Sequence, residues 1–70
     1  MTVHIELHGK GRKDLDVEIE PGTTVIELLK TISIRPEAVV TFRNDSSIPL
    51  DALVEDGDVL IFIEAASGGS

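Results

Sequence analysis

Asp56-Gly57-Asp58-Val59-Leu60-Ile61-Phe62-Ile63 is the stretch that decides the fold. An acidic turn centred on one glycine runs into five consecutive apolar residues, a length that suits a strand better than a helix. Both parities of the strand are apolar, so it belongs in the middle of a sheet with at least one face covered. Behind it, Ala65-Ala66-Ser67-Gly68-Gly69-Ser70 carries no bulky side chain and no periodicity. The organisation this predicts is one folded domain over residues 1–64 and a flexible tail over residues 65–70.

Upstream, Val3, Ile5 and Leu7 alternate with His4, Glu6 and His8, the period of a half-buried strand. Gly9-Lys10-Gly11-Arg12-Lys13 breaks the alternation as a hairpin turn would. Leu15, Val17 and Ile19 then alternate with Asp14, Asp16, Glu18 and Glu20, a second strand with an acidic outer face that ends at Pro21-Gly22. Thr24-Val25-Ile26-Glu27 has the spacing of a capping box, and Val25, Leu28, Leu29 and Ile32 fall on one helical face. Pro36 confines the helix to residues before Arg35. Residues 38–43 read as a third strand, Asn44-Asp45-Ser46-Ser47 as a turn, and Ile48-Pro49-Leu50 as a short extended piece. The order is strand, strand, helix, strand, short strand, strand. This is an α+β pattern that buries its apolar faces in a mixed sheet folded around one helix.

The chain has 70 residues, 13 acids against six bases, a net charge of −7 and no cysteine. Seventy residues hold one small domain. Disulfides, thiolate metal sites and a cysteine nucleophile are excluded. Five apolar residues in a row are far short of a membrane span, and no signal peptide opens the sequence, so a soluble cytoplasmic monomer is expected. Nucleic acid is a poor partner for an acidic surface with two aromatic residues, Phe42 and Phe62. The acidic excess suits solubility first, and docking on a basic protein surface second.

Catalytic chemistry has little footing. His4 and His8 stand on a strand, where four residues span about 13 Å, too far for one ion. Gly9-Lys10-Gly11 lacks the third glycine and the following helix of a phosphate loop. The acidic residues of the second strand lack the kinked loop of a calcium site, and charge on an edge strand guards against aggregation. No metal ligand set and no catalytic residue is expected. The tail is different, because paired glycines next to a terminus can enter a channel too narrow for any side chain.

The opening hairpin, the "EPGTTVIELL" helix entry and the "LVEDGDVLIFIEAASGG" finish together resemble the ubiquitin-like β-grasp proteins. The resemblance is greatest to the sulfur carriers of thiamine and molybdopterin synthesis (ThiS and MoaD), and extends to the archaeal small modifiers. It implies a four- to five-stranded mixed sheet packed on one helix. It also implies a carrier that is not itself an enzyme and binds no cofactor. A partner enzyme would use ATP and Mg2+ to adenylate the carboxylate of Gly69, with Gly68 as its required neighbour. A sulfur donor would convert the acyl-adenylate to a thiocarboxylate for a sulfur-accepting synthase or for tRNA. The alternatives are a modifier that forms isopeptide bonds and a β-grasp binding module.

By the register of that resemblance, Leu60 and Phe62 pack beneath the helix while Val59, Ile61 and Ile63 face outward. His4 joins them, as do Val39 and Arg43 if Val40 and Phe42 point inward. This apolar strip is the expected docking surface for the adenylating enzyme. Ser70 departs from the family pattern. It stands where AMP would leave, so Gly69 becomes reactive only once Ser70 is gone.

Overall fold

The computed structural model describes residues 1–9 and 11–65. Strands β1 (Thr2–His8), β2 (Arg12–Glu18), β3 (Val39–Arg43), β4 (Ser46–Ser47) and β5 (Val59–Glu64) form one sheet in the order β2-β1-β5-β3-β4. One helix, α1 (Val25–Thr31), covers a single face, and a short 3-10 turn (Pro36–Ala38) precedes β3. The apolar run at 59–63 is the central strand, as its two apolar parities require. It pairs parallel with β1 in the register Ile5↔Leu60 and antiparallel with β3 in the register Thr41↔Phe62.

The core is aliphatic with one aromatic ring. Val3 and Ile5 of β1, Leu60 and Phe62 of β5, Val54, and Val25, Leu28 and Leu29 of α1 are all buried. A helix of seven residues is too short to stand alone in water, so its ends need partners. Thr24 and Glu27 form the predicted capping box, with the Glu27 N–H donating to Thr24 Oγ1 and the Thr24 N–H donating to Glu27 Oε1. The Val25 and Ile26 N–H groups donate to the carbonyls of Ala52 and Leu50. At the other end, the N–H groups of Ser33 and Ile34 return to the carbonyls of Lys30 and Leu29. Those two bonds make a Schellman cap, with Ser33 in the left-handed position at φ 63°.

Two expectations are corrected. In β3, Val39, Thr41 and Arg43 face the helix side, and Val40 and Phe42 face outward. The reason is register: Thr41 lies opposite Phe62 and Arg43 opposite Leu60, and residues opposite one another share a face. Thr41 is accordingly buried, whereas Val40 is 43% exposed. The short fourth strand is Ser46–Ser47 and not residues 48–50. Asn44 and Asp45 both adopt positive φ, 52° and 67°, so they alone make a two-residue hairpin turn and pairing resumes at Ser46. Pro49, lacking an N–H, then ends it.

Leu28 is fully buried between helix and sheet. Leu28→Ala is expected to cost about 2–5 kcal/mol, read as a drop in the urea midpoint at unchanged m-value.

Candidate functional site

The uncovered face of the sheet divides lengthwise. On one half, Val59, Ile61 and Ile63 of β5 lie beside Val40 and Phe42 of β3, through the pairs Phe42↔Ile61 and Val40↔Ile63. Val59 is 47% and Ile63 40% exposed, so the strip is open to a partner. Such a contiguous apolar strip on a chain of net charge −7 is the feature that a protein partner would recognise.

The other half is charged. His4, Glu6 and His8 of β1 stand next to Val59, Ile61 and Ile63, and Arg12, Asp14 and Asp16 of β2 lie beyond them. His4 Nδ1 donates to Asp16 Oδ1 at 2.8 Å. That hydrogen bond raises the His4 pKa above its ordinary value, and the charges of Asp16, Asp14 and Glu6 add to the effect. Glu6 sits between His8 Nε2 at 3.2 Å and Arg12 Nη2 at 2.8 Å. The hydrogen bond from His8 and the charge and hydrogen bond of Arg12 lower its pKa. His4, Glu6 and Asp14 bring ligand-capable atoms within 4.8 Å of one another. Because Arg12 and His8 already hold Glu6, this is an ion-pair network of the chain's own side chains.

Four of the expected face residues, Val59, Ile61, Ile63 and His4, lie on this uncovered face. Val39 and Arg43 do not. Val39 instead lines a groove of about 430 Å3 on the helix side, together with Leu7, Gly9, Ile34, Ala38 and Glu64 among others. Arg43 reaches under the sheet, where its Nη2 donates to the Leu53 carbonyl at 2.7 Å and to Asp58 Oδ2 at 2.8 Å. Asp58 Oδ2 also accepts the Glu55 N–H at 2.8 Å, so Arg43 pins the acidic turn to β3. Sequence reasoning missed Val40 and Phe42. Residues 39–43 carry an apolar residue on each parity, and the expectation for the outer face was conditional on Val40 and Phe42 pointing inward. The ion pair of Arg43 with Asp58 goes with the observed parity, but it is a contact between distant positions that the sequence alone does not announce. Gly68, Gly69 and Ser70 lie outside the described residues.

A family model described as small archaeal modifier protein 2 matches residues 1–62. An uncharacterized protein of Archaeoglobus fulgidus is 32% identical over 69 residues, covering 99% of this chain and 100% of that one. Among solved structures, SAMP1 from Haloferax volcanii is similar at TM-score 0.74 and 18% identity, covering 99% of this chain and 100% of that one. The ubiquitin of Caldiarchaeum subterraneum follows at 0.73 and 20%, covering 99% and 98%. The complex of subunits 1 and 2 of molybdopterin-converting factor from Helicobacter pylori matches at 0.69 and 19%, covering 99% and 100%. The fold is therefore the ubiquitin-like β-grasp, a mixed sheet packed against one helix.

Two outcomes follow from this geometry. Arg43→Met should cost about 1–3 kcal/mol in urea unfolding, because it strips a half-buried Asp58 of its cation. A loss below about 0.5 kcal/mol would make the pair an ordinary surface contact. The second outcome concerns pH. A raised His4 pKa contributes stability that is complete below the unfolded value and is lost as pH rises through the folded one. A lowered Glu6 pKa contributes stability that is present above the unfolded carboxylate value and is lost as pH falls through the folded one. Stability should peak on the mildly acidic side, between these two titrations. NMR titration should place His4 above a free histidine, and Asp16→Asn should bring it back.

Proposed function

We infer that this chain, which belongs to the small archaeal modifier protein 2 family, is a protein modifier joined to its targets through the carboxylate of Gly69. The observation that carries the reading is the family match over residues 1–62, followed by Gly68-Gly69 a few residues on. In this reading a protease first cleaves the Gly69–Ser70 amide, releasing serine and leaving a free carboxylate. A carboxylate is a poor electrophile. An adenylating partner enzyme, using ATP and Mg2+, converts it to an acyl-adenylate with loss of pyrophosphate. A lysine amine of the target then attacks the carbonyl, AMP leaves, and an isopeptide bond forms. Gly68 and Gly69 supply a backbone without side chains that fits a narrow channel and accepts unusual φ.

The uncovered strip of Val59, Ile61, Ile63, Val40 and Phe42, with His4 at its border, is the proposed docking surface for the adenylating enzyme. The reaction itself would belong to that enzyme. The same acyl-adenylate, taken by a sulfur donor instead of an amine, would give a thiocarboxylate for a sulfur-accepting synthase. That carrier reading shares every step up to the adenylate, and the family match weighs towards the amine.

The distinguishing experiment compares the 69-residue and 70-residue forms in extracts of the native host. The 69-residue form should give high-mass conjugates that survive reductant and, after trypsin, carry the segment 44–69 on target lysines, because no Lys or Arg follows Arg43. Conversion to a species with the mass of a sulfur-for-oxygen exchange, with no conjugates, would transfer the assignment to sulfur carriage. Equal activity of both forms with no cleavage detected would overturn the mechanism. Gly69→Ala should slow pyrophosphate exchange without altering stability. Ile63→Asp should leave the fold intact, because that side chain is exposed, yet weaken the complex with the adenylating enzyme roughly tenfold or more, as expected for loss of an apolar anchor.

A further inference from the structure

We propose that the free edge of β2 takes up an extended segment of a partner protein in which basic and apolar residues alternate. The argument begins with the direction of the backbone groups. In β1 the His4 N–H donates to the Asp58 carbonyl and the Thr2 carbonyl accepts from Gly57, so the even-numbered residues of β1 face β5. The odd-numbered residues Val3, Ile5 and Leu7 therefore bond across to Val17, Leu15 and Lys13 of β2. This leaves the N–H and C=O groups of Asp14, Asp16 and Glu18 aimed away from the sheet. β2 is the edge strand, and among the described residues no other strand pairs with it. A seven-residue edge strand whose alternate residues present unpaired donors and acceptors is a template for one more strand.

The side chains state what that strand must carry. Leu15 and Val17 face the helix side but are only half-buried, and they pack on the margin of the core. Apolar residues set opposite them would complete their burial. On the uncovered face Asp14 and Asp16 are well exposed, at 52% and 69% of their side-chain surface, with Glu18 beyond them. Arg12 is drawn back over β1 to Glu6 at 2.8 Å and stands 3.9 Å from Asp14, while Asp16 is hydrogen-bonded by His4 and Glu18 by the Thr2 hydroxyl. The row thus has internal partners, yet its carboxylates outnumber the one arginine and stay exposed to solvent. Basic residues opposite Asp14, Asp16 and Glu18 would meet complementary charge.

The same row argues against a second copy of the chain. Antiparallel pairing of β2 with itself centred on Asp16 sets Asp16 on Asp16 and Asp14 on Glu18. Centred on Leu15, it sets Asp14 on Asp16 twice in the middle, with Arg12 on Glu18 at either end. Like charges directly opposite are destabilising, so the acidic row favours a basic strand over a second copy of itself.

One consequence of the alternation is sharp. The strand is added antiparallel, so the residues whose N–H groups bond to β2 are the basic ones, because they stand opposite Asp14, Asp16 and Glu18. The probe is acetyl-Lys-Val-Lys-Val-Lys-Val-Lys-amide, titrated into the full 15N-labelled chain. The amides of Asp14, Asp16 and Glu18 should shift and become slow to exchange. N-methylation of the lysines keeps their charge but removes the pairing N–H, and should weaken binding roughly tenfold or more. N-methylation of the valines, whose N–H groups face away, should change it by no more than about twofold. The Glu-Val counterpart should not bind. Equal weakening by both methylations would reduce the contact to charge alone and overturn the proposal. So would shifts centred on Val40, Ile61 and Ile63, sedimentation showing β2-mediated dimers without peptide, or no change at millimolar peptide.

Discussion

Everything in this fold follows from β5 lying between β1 and β3 with Leu60 and Phe62 turned towards α1. A central strand has no freedom of parity once one face is covered, because a slip of one residue would exchange its whole buried set for its exposed one. The parallel register Ile5↔Leu60 carries that choice into β1, and the antiparallel register Thr41↔Phe62 carries it into β3. Through β1 it reaches β2, whose Leu15 and Val17 are brought to the helix side. The aliphatic strip on the uncovered face is the same constraint seen from the other side. Val59, Ile61 and Ile63 are outward because Leu60 and Phe62 are inward.

The parts of the fold that sequence revealed are those where one local rule acts without competition. β1 and β2 alternate cleanly, so their faces could be assigned residue by residue. Thr24 and Glu27 announce the helix start by spacing alone, and Gly57, at φ +82°, occupies a turn position that other residues adopt at a cost. β3 resisted because its inward set is Val39, Thr41 and Arg43, a valine, a hydroxyl and a cation, while the larger Phe42 lies outside. The Thr41 hydroxyl is buried with no hydrogen-bond partner among the described residues, which no sequence rule would favour. Long-range pairing overrode side-chain preference. It did so with help from Arg43, whose guanidinium finds the Leu53 carbonyl and Asp58 at the far end of the core.

Of the candidate docking face, the β5 residues and His4 were legible because the parity of β5 was. Val39 and Arg43 were misplaced, and Val40 and Phe42 missed, for a single reason: one wrong parity moves a whole strand from one face to the other. The outcome enlarges the strip, since Val40 and Phe42 extend the apolar surface sideways from Ile63 and Ile61. The acidic residues of β2 and the ion pairs of β1 lie along one side of it. A surface so arranged offers an apolar contact to a partner while the net charge of −7 keeps free chains apart.

The same topology ties the strip to the terminus. The last described tie of the main chain is the Ala65 N–H to the Ala38 carbonyl at 2.8 Å, directly after β5. In the proposed mechanism, chain geometry then limits how far the carboxylate of Gly69 could travel from the proposed docking surface. Six steps along the chain lead from Ile63 to Gly69, and a chain extends at most about 3.3–3.6 Å per residue, so Gly69 stays within about 22 Å of Ile63 however the tail is arranged. An enzyme that grips the strip therefore receives Gly69 inside a sphere of that radius without searching for it. In the proposed mechanism, recognition by the sheet and reaction at the tail would thus be separate tasks, linked by β5, which leads from one to the other.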